Sequence, residues 1–102
     1  MNIFDLNTIK VSPYEERQKN VLYHAEEFKV RLIELPAGGS MPECEMASHV
    51  IFHVLEGRVD VRVGQEEARL TAGHCLIIEP ANVSMHTQEG ARIVGIQIVK
   101  KM

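Results

Sequence analysis

An all-β sandwich or barrel is the fold class that this sequence predicts, and three observations predict it. Apolar residues recur with a period of two, turn-forming residues separate the runs at short intervals, and a helix start signal occurs at one place. Phe28, Val30 and Leu32 alternate with Lys29 and Arg31, and Val59, Val61 and Val63 alternate with Arg58, Asp60 and Arg62. Such alternation is the signature of half-buried antiparallel strands. Residues 49–55 and 93–99 are apolar at both parities, which predicts central strands whose second face is covered by another sheet or by a partner subunit.

Along the chain, residues 1–19 form an N-terminal segment and residues 20–102 the barrel. Within the first, residues 12–17 predict a short amphipathic helical turn, with Pro13 at the first helical position after a Ser12 cap. Residues 2–10 are short enough to fray, or to cross to a partner as an exchange strand. The strands that follow are divided by Pro36-Ala37-Gly38-Gly39, Glu56-Gly57, Gly64, Ala72-Gly73, Glu79-Pro80 and Glu89-Gly90. No internal repeat, linker or low-complexity segment interrupts them.

A chain of 102 residues with 45% apolar content is one domain. Such a chain buries roughly 60–65% of its unfolded surface in a single core. The two cysteines, Cys44 and Cys75, are too sparse for a disulfide scaffold and form no C-x-x-C zinc pair, so both are expected as thiols in a reducing compartment. The first ten residues hold acidic and polar side chains without a continuous apolar run. No stretch reaches the ~18 apolar residues of a spanning helix, so a cytoplasmic protein is the expectation. The net charge is −3, and the basic residues are scattered apart from Lys100 and Lys101. Neither nucleic acid nor a membrane surface has an electrostatic footprint in this pattern.

Two segments are more specific: PAGGSMPECEMASHVIFHVLEG, residues 36–57, and LTAGHCLIIEPANVSMH, residues 70–86. Together they resemble the paired motifs of a small single-domain cupin, a conserved barrel of the cupin 2 type. The match lies in Gly38 or Gly39, Pro42, Val54-Leu55-Glu56-Gly57, Gly73, Pro80 and Asn82, within a resemblance running from about residue 20 to residue 99. It implies a double-stranded β-helix, or jelly-roll, barrel that usually closes around a metal held by histidines and a carboxylate. It also implies a dimer formed through sheet faces or by N-terminal strand exchange.

The ligand positions of that pattern carry other residues here. Counting back from Gly57, the two motif histidines fall on Cys44 and Met46 and the carboxylate on Val50. Counting on from Pro80, the last histidine falls on Met85, with His86 one step beyond. One extra residue separates Gly73 from Pro80, so either Met85 or His86 faces the cavity, because neighbours on a strand point opposite ways.

Two functions follow from these degenerate metal-ligand positions. In the first, Cys44, Met46, Val50, Phe52, Val54 and Met85 line a largely apolar pocket of a non-catalytic module that binds or senses a small molecule. In the second, Cys44, Met46, Met85 and His86 hold a soft ion such as Cu(I), or a rearranged set of His86 with a recruited His49 or His53 and Glu45 or Glu43 serves an oxygenase, isomerase or decarboxylase. Val50 in the carboxylate position argues against a three-histidine, one-glutamate sphere. The cofactor is therefore either none or a transition metal. His49 and His53 share with Ile51 a strand face that looks away from the cavity, and His74 sits on a solvated turn. Ile51 and Leu55, opposite Phe52 and Val54, give the strand two apolar faces and predict a homodimer.

Overall fold

In the computed structural model, which describes residues 1–99, a 3-10 helix at Tyr14–Asn20 precedes eight strands. These are β1 Val21–His24, β2 Phe28–Leu35, β3 Ser40–Met46, β4 Val50–Val63, β5 Glu66–Thr71, β6 Cys75–Ile78, β7 Ala81–His86 and β8 Ala91–Ile98. Lys100 and Lys101, the one basic pair of the sequence, lie outside the described residues, as does the last residue of the expected barrel span. All strand pairings are antiparallel, in the order β1-β2-β8-β4-β7-β3, with β5 and β6 also paired to β4.

The long strand β4 belongs to both layers. Its first half pairs with β8 and β6, and its second half pairs with β7 and β5. A bulge between Val54 and Glu56 divides the halves, and an inserted residue reverses which parity faces inward. Val50, Phe52 and Val54 are buried before it, whereas Val59 and Val61 are buried after it. Gly57, at a φ of +83°, carries the chain through the bend.

The bend is tied at this end of the barrel. The Thr87 hydroxyl donates to the Arg58 carbonyl and accepts from the Gly90 amide at 2.9 Å, while the Thr87 amide donates to the Gly39 carbonyl at 3.0 Å. Thr87 is only 1% exposed, so its polar atoms need these partners. At the other side of β4, Arg62 stands opposite Glu67 and Asp60 opposite Arg69, complementary pairs that favour one register of the β4–β5 hairpin. The hydrogen bond and charge of Glu67 hold the Arg62 guanidinium further above its ordinary range.

The core lies between the layers, built from Ile33, Met41, Phe52, Val54, Val83, Met85 and Ile93 among others. The outward face of the β2-β8-β4 layer is partly covered by the chain's own N-terminal segment. There the buried Arg92 donates to the carbonyls of Leu6, at 2.7 Å, and Ile9, and pairs with Glu34 at 3.4 Å.

The expected Ser12 cap does not form. Pro13 occupies the N-cap position with no side-chain cap bond, and the helix proper begins at Tyr14. Instead the buried Asn20 carboxamide clamps the Ser12 backbone, accepting from its amide at 2.8 Å and donating to its carbonyl at 2.9 Å. A side-chain amide thus replaces a strand partner, satisfying a backbone pair that the helix cannot reach.

Candidate functional site

At the end of the barrel opposite the Thr87 tie, the chain leaves a cavity of about 180 Å³. The start of β2, the end of β3, the start of β4 and the end of β8 meet there, with the 3-10 helix lying over the opening through Tyr14 and Arg17. The floor is Ile33, Met41, Met46, Val50 and Phe52. Its depth depends on Gly95, where an added Cβ would come within 3.3 Å of the Phe52 ring. The rim is polar: Lys29 and Arg31 from β2, Cys44 and Glu45 from β3, and Gln97 from β8. The guanidinium of Arg17 sits 4.6 Å from the centre of the Tyr14 ring, a cation–π distance.

Of the expected site residues, Cys44, Met46, Val50 and Phe52 line this cavity. Val54 and Met85 do not, since both are packed into the core beneath it. The register of β7 settles the choice left open by the sequence. Met85 is 3% exposed and faces inward opposite Met41, whereas His86 is exposed, faces the other way, and shares a hydrogen bond of 3.0 Å with the Ser40 hydroxyl. Cys44, Met46, Met85 and His86 are therefore not brought together as a ligand set. His53 lines the outer face with Ile51, as its strand parity predicts. His74 is exposed and its ring nitrogen Nδ1 accepts from the Thr71 amide at 2.9 Å, closing the turn before β6.

A metal of the kind the fold family uses does not fit these residues. Among the described residues, no three histidine, cysteine or carboxylate side chains converge on one point. Inside the cavity the histidine- and carboxylate-type donors reduce to Glu45 at the rim, beside the Cys44 sulfur and the thioethers of Met41 and Met46, and thioethers are soft ligands that suit no metal held by histidines and a carboxylate. Cys44 and Cys75 are both free thiols.

The rim residues Lys29, Arg31, Gln97, Tyr14 and Arg17 escaped the sequence reading. Lys29 and Arg31 look like the solvated parity of an amphipathic strand, and Phe28, Val30 and Leu32 like the core parity. The structure reverses this, because Phe28 and Val30 lie on the outer face. A signal existed: Ile33 and Leu35 share the parity of Lys29 and Arg31, and both belong to the core. The pocket is apolar at its floor and carries cations at its rim, a feature the sequence reading did not contain.

No family model and no curated protein matches the chain. Solved structures do. A cupin domain from Schizosaccharomyces pombe has a TM-score of 0.79 at 18% identity, covering 95% of this chain and 68% of that one. A conserved protein of unknown function from Streptococcus pyogenes has a TM-score of 0.80 at 11% identity, covering 99% and 90%. A conserved protein with a double-stranded β-helix domain from Klebsiella pneumoniae has a TM-score of 0.77 at 17% identity and covers 99% of both chains. The chain thus folds as a small cupin-type β-barrel. At such identities the likeness is one of fold, and the chemistry rests on the residues of this chain. Among the described residues, no helix is long and apolar enough to cross a membrane.

Proposed function

We propose that this cupin-type domain is a non-catalytic module that binds or senses a small molecule in the mouth of its barrel. One observation carries the reading: the cavity opens where the fold's motif positions fall, but those positions supply Cys44, Met46 and Val50 in place of a converging donor set. An apolar floor with a few polar groups at the rim is the ordinary make-up of a small-molecule site. A cytoplasmic setting, in which Cys44 and Cys75 stay reduced, goes with it. Methyl-labelled protein screened against small molecules should show hits that shift the Met46 and Val50 methyl signals and the Gly95 amide. Hits confined to the outer face, or stoichiometric metal on elemental analysis that is lost in Cys44→Ala, would displace this reading in favour of the metal-binding alternative.

A second copy of the chain is the partner we propose for the outer face. Phe4, Leu22, Phe28, Val30, Ile51 and Ile96 line a groove there of about 740 Å³ that contains no aspartate, glutamate, lysine or arginine. In a twofold contact each patch meets its own copy, so a patch dominated by one sign of charge would repel itself, and this lining carries no aspartate, glutamate, lysine or arginine to do so. Sedimentation at micromolar concentration should give twice the chain mass, and Ile51→Lys, which adds a charge to a half-buried outer position, should give a folded monomer. A wild-type monomer would rule the dimer out.

A further inference from the structure

We infer that the ligand of the barrel mouth is a small carboxylate or similar anion with an apolar tail; the inference rests on the binding reading above and specifies its ligand class. Lys29 and Arg31 are half-buried, two residues apart on β2, and line the cavity on the same side. Arg31 stands opposite Gly95 in the β2–β8 ladder, so no side chain from that position of the neighbouring strand fills the space beside it. Among the described residues neither cation has an ion-pair or hydrogen-bond partner, although other arginines of the chain are paired: Arg58 with Glu89, Arg62 with Glu67, Arg69 with Asp60 and Arg92 with Glu34. Arg17 adds a third positive charge over the opening.

The one carboxylate of the lining, Glu45, is exposed at the rim and forms no ion pair with these cations among the described residues. Three cations against one anion leave a positive rim above the floor of Met46, Val50 and Phe52. Half-burying a cation without a partner has a desolvation cost, and an anion held by a charge-assisted hydrogen bond offsets it. The guanidinium of Arg31 can grip both oxygens of a carboxylate, and the ammonium of Lys29 supplies a point charge beside it. The cavity of about 180 Å³ gives the apolar tail room beneath the rim, which a chain of hexanoate length can use.

Hexanoate, hexan-1-ol and hexylamine share one tail and differ in head group, so titrating each into labelled protein separates the two levels of the proposal. Hexanoate should bind at the Met46 and Val50 methyls at least about tenfold more tightly than hexan-1-ol, the ratio expected for a hydrogen bond to a charged group. Arg31→Gln and Lys29→Gln should each remove most of that advantage, leave hexan-1-ol unchanged, and keep the wild-type spectrum elsewhere. Arg31→Lys should restore part of it. Equal binding of hexanoate and hexan-1-ol, or a preference for hexylamine, would overturn the anion assignment while leaving the pocket intact: the cationic heads would then only reach past the floor to water. Shifts from none of the three at the Met46 and Val50 methyls would overturn the binding reading itself.

Discussion

Gly57→Ala should cost more than about 4 kcal/mol of unfolding free energy, enough to leave little folded protein, whereas Gly64→Ala should cost only about 1–2 kcal/mol. Both glycines have positive φ, at +83° and +61°. An L side chain is strained at either position. They differ in what surrounds the missing methyl. At Gly64 an added Cβ meets nothing within 4 Å, but at Gly57 it would lie 2.0 Å from the Gly90 carbonyl oxygen and 2.9 Å from the Ala91 Cα. Those are backbone atoms, and Thr87 holds their strand against the bend through the Gly90 amide and the Arg58 carbonyl. Neither side can move without opening the tie that closes this end of the barrel. Urea unfolding of the two variants measures the difference directly, and equal losses would mean that φ alone, not the close approach of β8, explains the glycine.

The turns were the most legible part of the sequence: Gly38, Gly64, Gly73 and Gly90, all at positive φ, fall between strands where turns were expected, because a turn is a local backbone preference. Glu56-Gly57, which reads as one more turn between strands, instead lies within β4, unbroken from Val50 to Val63, and bends it. The inward and outward faces were less legible, since a face is a matter of parity and parity changes at every bulge. The break between Val54 and Glu56 reverses it in β4, and another between Met41 and Cys44 resets it in β3. A one-residue ambiguity before β7 left Met85 and His86 undecided until the pairing of Met41 with Met85 placed the thioether inside. In β2 the difficulty was different. Its first half presents cations to the cavity and apolar residues to the outer face, and its second half presents apolar residues to the core, so no single amphipathic rule describes the whole strand.

Phe52 links the core to the site, and its removal should act on both in opposite directions. The ring is 2% exposed, sits at the floor of the mouth cavity and fills the space that Gly95 leaves on β8. Phe52→Ala should therefore lower stability by about 3–5 kcal/mol, the loss of a buried aromatic together with the void it leaves. Phe52→Leu, which keeps most of the volume, should cost less than about 1.5 kcal/mol if its neighbours repack. The void in Phe52→Ala would join the existing cavity, so the variant should gain affinity for longer apolar tails as it loses stability. Benzene should raise its melting temperature more than it raises that of the wild type, since the variant adds an apolar void of ring size that admits such a ligand. Thermal unfolding with and without benzene distinguishes the possibilities. A loss below about 1 kcal/mol would mean that the ring is not packed into the core, below the range for deleting a buried aromatic. A full loss without benzene rescue would mean that the barrel collapses into the gap, and the open mouth would then depend on Phe52 as its prop.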